Sequence, residues 1–415
     1  MYTVIPIFSD PYLHPLHKNN GLSALWCQPE SAEEPFFIIQ HHPDSDKFME
    51  DYKWLDEKFI QTPDKKLLNH FYEFKDVVDK NFIHWIDIGK PFDNNIRNNA
   101  IDFLSSKFYN VKKLNEIIPL SKHNEYCSEV YEKMARAYTG ENDEYMNDVI
   151  KAFGSIEKNG IKVSDDICDI FDIRVKKHIS DGKLYSNYNL WTTTGRPSNS
   201  FGSVNFAALP PEKRKAFIPE NDYFVEFDFD AYHLRLIADL VGYHTFGEES
   251  VHQHLAEYYG CSYDESKQRS FKLLYGGIDK KTQEKVPFFD LTHKYINKKW
   301  NEINTHNYVF TNIYRRKLLY NNYEDLNRNK LFNYLIQAYE TESNIKKILL
   351  IQNYLLNKKT KLVLYGYDSF LFDFSTQDGV ETLKEIKNIL EKDKHYTKSK
   401  MGLNYGKMKD ITNRL

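Results

Sequence analysis

The stretch YFVEFDFDAYHLRLIADLVGY, residues 223–243, changes its period midway. Tyr223 to Phe229 is aromatic and β-branched, as a buried strand requires, whereas Leu234, Ile237, Ala238 and Val241 recur at helical spacing. The chain must run from a strand directly into a helix, which leaves Asp228 at the strand's carboxyl end. A second stretch, YGYDSFLFDF at 365–374, sets Asp368 and Ser369 between two aromatic, strand-like runs. A charge on an apolar hairpin is costly without a partner, and a metal ion can be that partner. A carboxylate at a hairpin tip can share a divalent cation with another at a strand end. Taken singly, Asp228 reads equally well as a helix cap.

Other elements surround these two. YTVIPIFS, LSALWC and PFFIIQHH read as three short strands separated by turn formers. NNAIDFLSSKFYN, SEVYEKMARAY and EYMNDVIKAFGSIEKNG carry apolar residues at helical spacing, the last stopping at Asn159–Gly160. They make a sheet-plus-helices domain of roughly 140 residues, an ordinary size for such a unit. Further on, Ser262 and Glu265 form a capping box for a helix that closes on Gly276–Gly277. Lys267, Phe271, Leu274 and Tyr275 share one face of it, a cation followed by rings, although a lone helical lysine is ordinarily just solvated. KLFNYLIQAYETESNIKKILLIQNYLL is a long helix that leads into the hairpin.

With 415 residues, 41% of them hydrophobic, the chain can bury two or three cores. Its net charge of -3 does not advertise a polyanion partner, but EKRKAF, NKKW, YRRKLL, NKKTK and KDKHYTKSK concentrate basic residues in the second half. Cys27, Cys127, Cys168 and Cys261 form no CxxC pair, so no zinc site or disulfide framework follows. Neither a signal peptide nor an apolar run of membrane-spanning length is present, and a cytoplasmic setting without membrane contact is expected.

Several motifs, in order, resemble those of the family-A DNA polymerases, the DNA polymerase I type, from about Tyr145 onward. TTTGRPSNS, VNFAALP and KRKAFI are similar to the family's T-x-x-G-R-L-S-S, N-L-Q-N-I-P and R-x-A-F elements, and FDFDAYHLRLIADLVG to its first palm motif. SVHQHLAEYYG, KQRSFKLLYG, YGYDSFLF and MGLNYGKMKD resemble the later ones. The resemblance implies an α+β or α/β chain: a right-hand polymerase palm and fingers preceded by an RNase-H-like, exonuclease-type domain. The implied divisions are a degenerate 3'-5' exonuclease-like domain at 1–144, a reduced thumb or connector at 145–190, palm at 191–244 and 326–415, and fingers at 245–325.

It implies roles as well. Asp228, the backbone carbonyl of Phe229 and Asp368 would hold two Mg²⁺ ions. Lys267, His252 and Arg214 would bind the triphosphate of an incoming dNTP, with Phe271 and Tyr275 against its sugar and the templating position. Arg196, Asn333, Gln337 and Tyr367 would contact primer-template DNA. His233 stands where the family has a glutamate that excludes a ribose 2'-hydroxyl; alternatively it packs against Tyr275. Ser369 replaces an accessory glutamate, and Tyr263 an arginine. In the first domain the family's D-x-E is absent after the first strand, which ends FSDP, and its Y-x-x-x-D becomes Tyr138 to Asn142. Loss of proofreading is expected, with Asp143 the one adjacent carboxylate. A reduced thumb predicts weak, salt-sensitive DNA binding and a processivity or replisome partner. The compact form suits a phage-like replicon acting in a host cytoplasm. Two alternatives remain at this stage: a catalytically inert DNA-binding replication subunit, and a polymerase with relaxed sugar or template selectivity.

Overall fold

The computed structural model describes residues 1–10, 13–31, 33–89, 118–136, 143–164, 173–199, 205–206, 209–247 and 250–415. The chain forms two compact units, Met1–Trp191 with Asn199–Asn205, and Thr192–Ser198 with Phe206–Leu415. The segment expected as a connector, 145–190, therefore falls inside the first unit.

Five strands build the sheet of the first unit: β1 (Tyr2–Phe8), β2 (Leu22–Pro29), β3 (Phe36–Ile39), β4 (Ile60–Thr62) and β5 (Val77–Asp79). Their order is β3-β2-β1-β4-β5, with β1–β2–β3 antiparallel and β1–β4–β5 parallel, which agrees with the RNase-H-like layout expected. The period of two decides the packing. Ile5, Ile7, Ala24 and Trp26 face α3 (Leu120–Ala135), while Val4, Leu25, Cys27 and Ile60 pack on the other side with Leu68 of α1 (Lys65–Phe71). Asp79 caps α2 (Lys80–Ile88) by accepting the Phe82 N–H, and Asp143 caps α4 (Glu144–Asn159) by accepting that of Met146. Asp143 is thus engaged as a helix cap. Helix α4 stops at Gly160, whose φ of 63° is the left-handed geometry that glycine tolerates. The helix expected at AIDFLSSKFYN, and Tyr138 and Asn142, lie outside the described residues.

In the second unit an antiparallel sheet runs β7-β8-β6-β9-β10, formed by β6 (Tyr223–Phe229), β7 (Lys361–Tyr365), β8 (Ser369–Phe374), β9 (Thr397–Asn404) and β10 (Lys407–Asp410). Strand β6 is central, and Phe224, Val225, Phe227 and Phe229 are all buried along it. The helices here include α5 (Pro211–Arg214), α6 (Tyr232–Val241), α7 (Val251–Tyr259), α8 (Tyr263–Gly276), α9 (Pro287–His306), α10 (Arg328–Tyr354) and α11 (Val380–Glu391). Leu234, Ile237, Leu255, Leu274, Phe288 and Ile336 join α6 to α10 in one apolar cluster. The capping box of α8 forms as its sequence requires.

Helix α10, 27 residues and roughly 40 Å long, carries a run of buried polar residues: Glu340, Thr341, Glu342, Ser343, Asn344 and Lys347. Buried polar groups need partners. Glu342 accepts from Arg316 Nε (2.9 Å) and from the Ile313 and Tyr314 N–H groups, and Lys347 donates to the Leu390 carbonyl (2.8 Å). Among the described residues no helix is long and apolar enough to cross a membrane.

Candidate active site

The register of β6 against β8 pairs Asp228 with Ser369, and the Phe229 N–H donates to the Asp368 carbonyl at 2.9 Å. The two aspartates proposed from sequence therefore sit at one end of one sheet. Asp368 is delivered by a tight turn in which the Gly366 N–H donates to the Ser369 carbonyl (2.8 Å) and Tyr367 adopts φ 73°. A bulky residue in that left-handed region is strained and persists only where its surroundings hold it.

Asn344 does much of the holding. Its Nδ2 donates to the Tyr367 carbonyl (2.8 Å) and the Tyr365 hydroxyl (3.1 Å), and its Oδ1 accepts from the Tyr232 hydroxyl at 2.7 Å. Arg196 adds a lid, its guanidinium carbon 3.9 Å from the centre of the Tyr367 ring. Asn344→Ala takes one partner away from each of two buried hydroxyls and from the turn carbonyl, and should lower stability by about 2–3 kcal/mol; a chemical denaturation curve matching the wild type would contradict this arrangement.

Electrostatics mark the pair. Burial, then Asp368, then Glu226 push the Asp228 carboxyl up to about 6, against the pull of Lys400 and Lys398. Asp368 is also raised, by burial first and then by Glu340. Two carboxylates at one sheet end, both raised and one of them by the other, are a donor set that a divalent cation would relieve, so the residues present fit such an ion.

Glu340 was not foreseen from sequence. It is 1% exposed on α10, with Oε2 2.9 Å from Arg196 Nε and Oε1 3.3 Å from His233 Nε2. His233 is thus found beside a carboxylate, and the Tyr275 side chain proposed to pack on it lies outside the described structure. Further along the same helix face, Gln337 donates to Asn333 (3.2 Å) and accepts from the Thr194 hydroxyl (3.2 Å). Asn333, Gln337, Glu340 and Asn344 recur every three to four residues, so they line one stripe. That periodicity was available in the sequence, masked by the apolar residues between.

A second cluster lies on α7 and α8. The buried His252 ring is 6.1 Å from Phe271 and 5.7 Å from Tyr263, and its carbonyl accepts from Ser266 (2.8 Å). Lys267 and Phe271 are exposed on α8. Burial lowers the His252 pKa, Asp230 opposing this and Lys267 and Lys398 adding to it, so these groups share one field. Asp230 links the cluster to β6, bound to Lys398 at 2.6 Å. Arg214 donates to the Leu209 carbonyl (3.0 Å) and lies 5.1 Å from the Tyr405 ring, whose hydroxyl feels Glu226 and Asp228.

In the first unit His14, His70 and Glu157 have ligand atoms within 4.8 Å of one another. Their hydrogen bonds point away from metal binding. Glu157 already meets Lys66 Nζ and His70 Nε2, each at 2.6 Å, and the Tyr188 N–H. His14 Nδ1 accepts the Leu16 N–H (3.2 Å), which leaves the proton of a neutral ring on Nε2. A cation beside Lys66 would also be repelled.

No family model matches the sequence, and no curated protein matches it significantly. Among solved structures the fold is similar to the "POL domain of Pol1 from M. smegmatis complex with DNA primer-template and dNTP", with a TM-score of 0.66 and 13% identity over 98% of this chain and 95% of that one. The mixed α/β architecture is therefore that of a polymerase domain.

Proposed function

We propose that the protein is a template-directed DNA polymerase that adds deoxynucleotides to a primer 3' end. The observation that carries this reading is the meeting of Asp228 and Asp368 at one sheet end, within a fold like that of a polymerase domain solved with primer-template and dNTP. Asp228, the Phe229 carbonyl and Asp368 would hold two Mg²⁺ ions, which when bound supply Lewis-acid polarisation of the reacting oxygens and offset charge on the phosphates.

The remaining residues bind and orient. Lys267, His252 and Arg214 take the triphosphate, the first two from the α7–α8 cluster and the last from the end of α5. Phe271, exposed on α8, and Tyr275 stack against the nucleotide, and His233 borders its sugar. Arg196, Tyr367, Asn333 and Gln337 face the primer-template, where polar side chains along one helix read groove shape. The primer 3'-oxygen attacks the α-phosphorus, losing its proton; the bond to the bridging oxygen breaks and pyrophosphate departs. The first unit contributes no proofreading: its first strand ends without the paired carboxylates, and Asp143 is committed to a helix cap.

Extension of a primed DNA template with Mg²⁺ and dNTPs tests the proposal. Absence of extension with either Mg²⁺ or Mn²⁺, while DNA binding persists, would leave a binding subunit instead. Lys267→Ala should lower kcat/KM for dNTPs by about a hundredfold, equivalent to roughly 2.7 kcal/mol, through loss of a charged contact to the departing phosphates. A change below threefold would remove Lys267 from the nucleotide site.

A further inference from the structure

Glu340 and Glu342 lie two residues apart on α10, are equally buried, and are used differently. Glu342 has the full set of partners of a structural ion pair: Arg316 and two backbone N–H groups at 2.9–3.1 Å. Glu340 does not. Arg196 Nε approaches its Oε2 to 2.9 Å but off the hydrogen-bond direction, so both atoms are buried without an aligned partner. The other contacts, Arg196 Nη2 at 3.5 Å and His233 Nε2 at 3.3 Å, both fall on Oε1. A carboxylate in this place also raises Asp368, so it works against ionisation of the site next to it. Fold stability alone gives no reason for an incompletely bonded, buried charge there.

What it does touch are two side chains with different jobs. Arg196 lies over Tyr367, the residue before Asp368, and His233 sits in the first turn of α6, directly after the β6 strand that ends in Asp228 and Phe229. We propose that Glu340 is a positioning residue that sets sugar selectivity, one buried carboxylate fixing His233 at the nucleotide sugar and Arg196 at the primer end, so that the two contacts adjust together. This rests on the polymerase reading above. The Glu340 contact is one of the restraints on the ring and sets which edge it presents; without it the imidazole has more freedom about χ1 and χ2, and the wall beside the sugar is less well defined.

The test is the ratio of kcat/KM for dNTP to that for rNTP, in a cycle of His233→Ala, Glu340→Gln and the double variant. Each single change is expected to lower the ratio about tenfold and the double variant no further, because both remove one interaction. Glu340→Asp keeps the charge and should lose less, about threefold; it also serves if the Gln variant folds poorly. Independently of activity, the ¹⁵N resonances of the His233 ring, assigned with His233→Ala, should shift in Glu340→Gln without any substrate. Ratios equal to the wild type in the position-340 variants, multiplicative effects in the double variant, or unmoved ring resonances overturn the inference while leaving the polymerase reading intact. Failure of the wild type to extend a primer overturns that reading, and the inference with it.

Discussion

Asp368→Ala is expected to lower kcat/KM for primer extension by about a thousandfold or more, corresponding to about 4 kcal/mol of transition-state stabilisation, while primer-template binding survives. The expectation follows from where the turn puts this side chain. Asp368 stands at the tip of the turn with its carbonyl tied to the Phe229 N–H and its carboxyl in the field of Glu340, so its position beside Asp228 is set by the backbone. Ser369, the next residue, offers only a hydroxyl. Removing the carboxyl takes away a negative charge from a crowded acidic site, so affinity for the DNA polyanion should hold or rise slightly. Residual extension above a tenth of the wild-type rate would show that Asp368 does not hold the reacting centre.

Glu157→Ala should be strongly destabilising, at about 3–5 kcal/mol, because it removes the carboxylate that Lys66, the His70 ring nitrogen and the Tyr188 N–H share in a buried network. For a unit of this size that amounts to a midpoint lower by about 10 °C in a thermal scan. Although burial raises the Glu157 pKa, Lys66 and then His70 bring it below its ordinary value. A depressed carboxyl stabilises the fold above its unfolded pKa and ceases to do so as the pH falls through the folded one, so the difference between wild type and variant should shrink at pH values below about 4.5. A chelator should leave the wild-type midpoint unchanged. A drop on chelation would instead make the His14–His70–Glu157 group a metal centre.

The sequence was legible where a local period or a cap dictates structure. The switch from strand to helix at Phe229, the Ser262 capping box and the stop at Gly160 all depend on neighbouring residues only, and all form. Strands β4 and β5 were missed because three residues, IQT and VVD, are too short to display a period; their parallel pairing is decided by the sheet they join. The aspartates could be named because a charge between apolar runs is conspicuous. Glu340 and Asn344 could not, since in a 27-residue helix buried on several faces a polar residue is unremarkable until its partner, distant in sequence, is known. Arg196 and His233 lie 144 and 107 positions from Glu340, and no spacing rule reaches that far.

The polar stripe of α10 acts as a graduated scale. From Asn333 to Asn344 it rises roughly 16 Å at the α-helical 1.5 Å per residue, close to five nucleotide steps of about 3.4 Å. Its far marks, Asn333 and Gln337, stand several steps from the end that clasps the Tyr367 carbonyl, and all are cut into one rigid rod. On the proposed reading, a mispaired or widened step some nucleotides behind the primer end would press on the same rod that seats Asp368. An error already incorporated would then slow the next addition, a memory of recent copying that needs no second active site.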